Sequence, residues 1–364
     1  LTNFFFFGYT GQRFVEKLEE ACDMNALALA EEIIAGRRLQ RGDEELTELL
    51  STDLEELCQA ADKLRETYCQ NKVDLCTIIN GRSGRCSEDC KYCAQSAHSK
   101  TGCEEYAFLP EDVIVAAAKA NEREGVDRFS IVTSGRSLTG EEFEQALAAY
   151  RRMADECKID LCASHGFLTR EQFHRLHLAG VTSYHDNIET SRRFFPEICT
   201  THTFDQKLAT IRAAQEEGLC VCSGGIIGMG ETWEDRLDMA LTLAELGIES
   251  IPINVLMPVK GTPLGEREVL KDDEILRTLA IFRMINPEAN IRLAGGRSAL
   301  SDNGAHSFSC GVSATITGNM LTTSGSTIQE DRAMLSAMGR DVQPEWQKHP
   351  VRPSCYEAVK NIAQ

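Results

Sequence analysis

The sequence predicts an α/β fold: a (β/α)8 TIM-type barrel with an N-terminal helical extension and a C-terminal tail. Three observations predict it. Eight short, β-rich apolar runs recur between residues 73 and 318, amphipathic helical stretches follow most of them, and 364 residues suffice for a barrel of roughly 250 with additions at each end.

Residues 1–72 read as a helical extension. "MNALALAEEIIAGRRL", from Met24, already has apolar residues at helical spacing, so residues 1–23 are expected to lie upstream of the fold. Barrel strands are expected at 73–80 (VDLCTIIN), 128–134 (RFSIVTS), 159–165 (IDLCASH), 181–186 (VTSYHD), 219–227 (LCVCSGGII), 250–257 (SIPINVLM), 290–296 (NIRLAGG) and 313–318 (SATITG). Thr139 with Glu142, Thr169 with Gln172 and Thr232 with Asp235 have capping-box spacing and mark three helix starts. The barrel domain is set at 73–326 and a polar, partly helical tail at 327–364. No internal repeat or Pro/Gly/Ser linker marks a second globular unit.

Composition narrows the function classes. At 42% hydrophobic and 26% charged residues, the chain falls with soluble globular proteins. Phe4 to Phe7 form a conspicuous apolar run, but it is too short to span a bilayer and lacks the flanks of a secretory signal, so a cytoplasmic location is expected. Acidic residues outnumber basic ones 56 to 38, and the net charge of −18 disfavours nonspecific binding to nucleic acid or an anionic membrane. Fifteen cysteines are many for such a compartment, where thiols more often serve metals or catalysis than disulfides. Cys22, Cys58, Cys69, Cys157 and Cys355 sit in helical or tail contexts and read as small hydrophobes.

"GRCSEDCKYCAQS", residues 84–96, places Cys86, Cys90 and Cys93 just after the first strand, at the end of a barrel where active sites gather. Three thiolates are one short of the four ligands that a structural zinc or a two-iron cluster takes, so the set leaves a metal position for an outside ligand. A zinc site completed by Cys103 or His98 is the alternative. Further on, "GGIIGMGE" has glycines at 224, 225, 228 and 230, a weak nucleotide signal that a tight strand-to-helix turn explains equally well. Asn187 and Glu189 alternate in "YHDNIETS". On an extended strand they would share a face and could hydrogen-bond a ribose or a urea-like ring; as isolated residues they would be surface polar groups. Cys220 and Cys222 form a C-x-C pair on one strand face.

"CSEDCKYCAQS" resembles the cluster loop of radical S-adenosylmethionine enzymes. Six further stretches resemble the biotin synthase family in the same order: "KTG" (100–102), "YHDNIETS" (184–191), "VCSGGIIGMGET" (221–232), "INVLMPVKGTPL" (253–264), "RLAGGR" (292–297) and "GNMLTT" (318–323). The resemblance runs from about Asp74 to Thr323. It implies that Cys86, Cys90 and Cys93 hold three irons of a 4Fe-4S cluster, with the fourth iron left to the methionine end of S-adenosylmethionine and Tyr92 against the cofactor. It implies that the backbone of Gly224 and Gly225 packs on the adenosyl part and that Asn187 and Glu189 bind the ribose. Asn187 and Asn254 would bind the ureido group of desthiobiotin. The family has an aspartate where Glu189 stands, so Glu189 adds one methylene of reach.

The resemblance also implies an auxiliary cluster, 2Fe-2S in the family, held by three cysteines and an arginine and giving up a sulfide to the product. Two of the cysteines match Cys162 and Cys222, and the arginine is matched to Arg297, for which a buried ion pair is the alternative. The third cysteine position carries Ser130, a poor substitute for a thiolate. The expected compensation is a larger, four-iron cluster held by Cys162, Cys220, Cys222 and Cys310 with Arg297 nearby, supported through hydrogen bonds by Arg128. The implied activity converts desthiobiotin to biotin, with a flavodoxin or ferredoxin as reductant and a homodimer as the assembly. Two rivals stand beside it. A sister radical enzyme, such as a hydrogenase-cofactor maturase or methylornithine synthase, needs no sulfur donor; an iron-sulfur electron carrier has no use for a ureido and ribose pocket.

Overall fold

The computed structural model describes residues 25–319 and 325–348. The expectations for residues 1–23, Cys22 and Cys355 and part of "GNMLTT" lie outside the described residues.

In chain order the helices are α1 (Ala26–Ile34), α2 (Glu45–Glu48), α3 (Leu54–Cys69), α4 (Glu111–Arg123), α5 (Gly140–Glu156), α6 (Arg170–Leu178), α7 (Phe195–Ile198), α8 (Phe204–Glu216), α9 (Trp233–Glu245), α10 (Asp272–Ile285), α11 (Ile328–Ala337) and α12 (Glu345–Lys348). The strands are β1 (Asp74–Arg82), β2 (Arg128–Thr133), β3 (Asp160–Ser164), β4 (Ser183–His185), β5 (Cys220–Cys222), β6 (Gly225–Ile227), β7 (Ser250–Val255), β8 (Asn290–Leu293) and β9 (Ala314–Ile316). Every pairing between them is parallel. β1 to β5 pair in sequence, β5 and its continuation β6 pair with β7, and β7, β8 and β9 lead back to β1, so the ring closes. Each run expected from the sequence holds a strand. The fifth breaks in two at Ser223 and Gly224, opposite Pro252 of β7, which has no N–H to give the ladder.

Period-two alternation sorts the strand residues. Leu75, Phe129, Ile131, Leu161, Tyr184, Ile251 and Ile291 point outward into the helix layer and are fully or almost fully buried. Their neighbours Cys76, Ile78, Arg128, Ser130, Cys162, His185, Cys222, Ser250, Asn254 and Arg292 point inward and line a cavity of about 1030 Å³. Small and polar inward side chains leave this barrel hollow, and the volume suits more than one small ligand.

The helix starts divide. Thr169 and Thr232 form the expected capping boxes, with Gln172 and Asp235, but Thr139 makes no side-chain cap bond. Its partner Glu142 is instead taken up by Arg82 and the Phe108 amide. Unforeseen boxes form at Thr203 with Gln206 and at Thr327 with Glu330. Of the segment after residue 327, the described part, 328–348, is docked rather than trailing. Asp331 of α11 pairs with Arg297 at 2.8 Å, Arg332 donates to the Gly125 carbonyl at 2.7 Å, and Trp346 donates from Nε1 to Val126 at 3.0 Å.

Candidate active site

The loop after β1 is curled by its own backbone: Cys86 N–H donates to Gln95, Ala97 to Cys86, and Cys93 to Cys90, at 2.8 to 3.1 Å. That turn sets Cys93 on the wall of the cavity, near enough to Cys86 and Cys90 for their charges to be felt. Burial, with Cys86 and Glu189 nearby, pushes the Cys93 thiol up to about 11, and a hydrogen bond with Cys199 together with burial raises Cys90. Bound cations invert this logic by favouring thiolates, so the donor set fits an iron-sulfur cluster. The zinc alternative finds no support among the described residues. His98 is instead placed with Nε2 3.2 Å from the Ser87 carbonyl, and neither it nor Cys103 joins a metal-ligating group.

Above the interior, Tyr92, Asn187, Glu189 and Asn254 all reach the cavity wall. Asn187 and Glu189 lie beyond the end of β4, so strand alternation is not what aligns them. Glu189 adopts a left-handed backbone, φ 69°, held by a parallel bridge in which its N–H donates to Gly224 and its carbonyl accepts from Ile226. A non-glycine residue there stores of order 1–3 kcal/mol of strain, the kind kept at functional sites. Burial raises the Glu189 carboxyl above its ordinary range even with Lys207 and the Tyr92 hydroxyl nearby.

The asparagines are held by glycines. Gly224 N–H donates to Asn187 Oδ1 at 3.0 Å and Gly295 N–H to Asn254 Oδ1 at 2.9 Å, while Asn254 Nδ2 donates to the Gly225 carbonyl at 3.1 Å. Each carboxamide keeps spare capacity toward the cavity. Gly224 and Gly225 are not on the cavity wall themselves, which differs from their expected place against an adenosyl group. A Cβ on Gly224 would stand 2.0 Å from the Pro252 carbonyl oxygen, and one on Gly225 2.3 Å from that of Glu189, so close strand packing explains both glycines.

Deeper in, Cys76, Cys162 and Cys222 face one another from β1, β3 and β5. Burial pushes Cys162 up to about 11 and raises Cys76 further; Cys76 also feels the charge of both other thiols, and Cys162 that of Cys222. Burial alone would raise Cys222 as well. The hydrogen bond and charge of His185, its register partner on β4, bring it down to about 7. Beneath the thiols, Asp74 sits between Arg128, 2.9 Å away, and Arg292, 2.5 Å away.

This arrangement corrects three expected ligands. Arg297 is not in the cavity: it follows Gly296, whose φ of 80° turns the chain outward, and its buried guanidinium pairs with Asp331, so the ion-pair alternative holds. The inward arginine of "RLAGGR" is Arg292. Cys310 is outside the barrel, joined in a disulfide to Cys58 of α3, which also corrects the reading of Cys58 as a plain hydrophobe. Cys220 lines the cavity two residues nearer the amino-terminal mouth than Cys222, and it is disulfide-bonded. Cys76 was the residue missed, though "VDLCTIIN" carried the signal. Ile78 is the register partner of Ser130, and Cys76 lies one inward step below Ile78, so a thiol stands one strand over from the serine.

A further metal-ligating group was also missed. Cys90, Cys199 and His202 bring one ligand atom each within 4.8 Å of one another, a C-x2-H spacing visible in "CTTH".

The Radical SAM superfamily matches residues 80–243, and the Biotin and Thiamin Synthesis associated domain matches residues 252–341. The chain therefore carries a radical SAM site for a 4Fe-4S cluster and S-adenosylmethionine. A biotin synthase of Alkaliphilus metalliredigens is 58% identical over 87% of this chain and 99% of its own length. One of Clostridium beijerinckii is 58% identical over 85% and 98%. Among solved structures, a methylornithine synthase aligns with a TM-score of 0.76 at 19% identity over 91% of this chain and 99% of its own. An FeFe-hydrogenase maturase aligns at 0.76 and 18% over 90% and 77%. These two share the fold. Among the described residues no helix is long and apolar enough to cross a membrane. With both thiol groups on a radical SAM barrel and near-full-length identity of this order, the chain belongs to the biotin synthase family.

Proposed function

We propose that this enzyme inserts sulfur into desthiobiotin to form biotin, with an auxiliary cluster held by Cys76, Cys162 and Cys222. The observation that carries the reading is a second thiol triplet inside the cavity whose wall also includes Cys93 of the first. A sister radical enzyme without sulfur insertion has no use for it. Cys86, Cys90 and Cys93 would hold a cluster that supplies one electron to each of two S-adenosylmethionine molecules, giving one radical for each of the two hydrogens removed, and Cys76, Cys162 and Cys222 would hold the cluster that supplies the sulfur.

The chain's own residues position these parts. Asn187 and Asn254, fixed through their carboxamides by glycine N–H groups, direct their remaining donors and lone pairs toward a ureido ring. Asn187 also donates from Nδ2 to Glu189 at 3.3 Å, linking the substrate group to the residue that takes the ribose. The barrel walls keep water from the radical.

Arg292 is a neighbour of the inner cluster rather than a ligand. Its nitrogens donate to Asp74, Ser250 and the Thr315 carbonyl, and the carboxylate keeps it protonated. Three thiolates without a fourth protein ligand repeat the pattern of the rim loop and favour four irons over two. The partners in this reading are desthiobiotin and a flavodoxin- or ferredoxin-type reductant. The test is anaerobic reconstitution followed by reductant, S-adenosylmethionine and desthiobiotin, with Cys222→Ala alongside. Biotin and 5'-deoxyadenosine from the native chain support the reading; 5'-deoxyadenosine without biotin would point to the sister activity.

A further inference from the structure

Outside the cavity, the rim loop is clamped to the segment that follows α7. Lys91 N–H donates to the Ile198 carbonyl at 2.9 Å, and the Asp89 carboxylate accepts from the N–H groups of Thr200 and Thr201 at 2.8 and 3.2 Å. The clamp places Cys199 Sγ 3.8 Å from Cys90 Sγ. Two thiolates on one tetrahedral metal, each at about 2.3 Å, stand about 3.8 Å apart. His202 Nε2 is 3.7 Å from the Cys199 sulfur, close to the roughly 3.6 Å that a tetrahedral sulfur and nitrogen pair requires. Glu88 Oε2, 2.6 Å from His202 Nδ1, fixes the ring from behind, the carboxylate–histidine arrangement that orients imidazole ligands. Asp89 Oδ1, 3.2 Å from the same sulfur, is taken up by the loop amides, which leaves the fourth position to an outside ligand. Cys199 and His202 are buried, with the Phe167 and Phe195 rings against the imidazole.

We propose that Cys90, Cys199 and His202 form a mononuclear site for a borderline-soft divalent cation, ferrous iron or zinc. The site shares Cys90 with the rim cluster, so a metal there and the complete cluster exclude each other. In the cluster-free chain it holds a first iron beside the loop that receives the cluster; filled with zinc, it blocks assembly. The exclusion, but not the site, rests on the assignment of Cys90 to the cluster.

The test uses cobalt(II) as probe, titrated anaerobically into the full-length, cluster-free, reduced chain carrying Cys162→Ala and Cys222→Ala to silence the interior thiols. One cobalt with thiolate charge-transfer absorption is expected. Cys199→Ala should abolish it, Glu88→Gln should weaken it about 10- to 100-fold, and Cys86→Ala should leave it intact. Equal loss in Cys86→Ala and Cys199→Ala would overturn the proposal, because cobalt would then sit on the rim triplet. Iron reconstitution checks folding: Cys199→Ala that still takes up the rim cluster has lost a ligand rather than its fold. Arms with zinc and ferrous iron ask which ion slows cluster formation on the native chain; if neither competes, the exclusion is wrong.

Discussion

The Arg292 guanidinium meets the Asp74 carboxylate at 2.5 Å, joining β8 to β1 across β9. Five residues later Arg297 faces the other way and pairs with Asp331 at 2.8 Å. The two arginines of one motif therefore answer differently to substitution. Arg292→Lys keeps a cation for Asp74 and is expected to leave the iron content unchanged; loss of the auxiliary irons would make Arg292 a ligand. Arg297→Met strands a buried carboxylate and should lower stability by about 3–5 kcal/mol in urea unfolding, with unchanged iron per folded chain.

Cys76→Ala should remove the inner cluster and lower the iron content from about eight to about four per chain, whereas Ser130→Ala should change nothing. A native count near six would instead mean a two-iron inner cluster.

Helix caps give a local check. Thr169→Ala loses a complete capping box and should cost about 1 kcal/mol, while Thr139→Ala, where no cap bond exists, should cost only a few tenths. Urea midpoints of the two variants measure the difference.

His165 is fully buried, with ring nitrogens 3.0 Å from the Thr133 and Tyr150 hydroxyls, and burial, with Arg82 nearby, holds its pKa down to about 3. The unfolded chain titrates near 6.5, so it binds the proton more readily than the fold does. Stability from this group is complete above about pH 6.5 and falls as pH drops toward 3, by about 1.4 kcal/mol per unit. His165→Gln should therefore flatten the loss between pH 7 and 5 by about 2 kcal/mol, measured by urea unfolding at both values.

The barrel was legible because each strand is a short apolar run between helix signals, and alternation survives even where Pro252 splits the fifth run. The rim triplet was legible because its three cysteines are local in sequence. The inner thiol group was not, because Cys76, Cys162 and Cys222 come from β1, β3 and β5, far apart in the chain, and the family's motif aligns Ser130 rather than a residue of the neighbouring strand. Cys310 and Arg297 misled for a related reason: nothing local records that Cys58 or Asp331 waits on a distant helix. Glu189 lies on the cavity wall, but not through the strand alternation that the sequence suggests, since its left-handed backbone depends on the bridge to Gly225.

The most direct measurement reconstitutes the native chain, Ser130→Ala and Cys76→Ala with heavy-isotope sulfide, then reads biotin and 5'-deoxyadenosine by mass spectrometry. The expected result is heavy biotin from the native chain and Ser130→Ala, with 5'-deoxyadenosine but no biotin from Cys76→Ala. Heavy biotin from Cys76→Ala at the native yield would contradict the assignment of sulfur delivery to the inner thiol triplet.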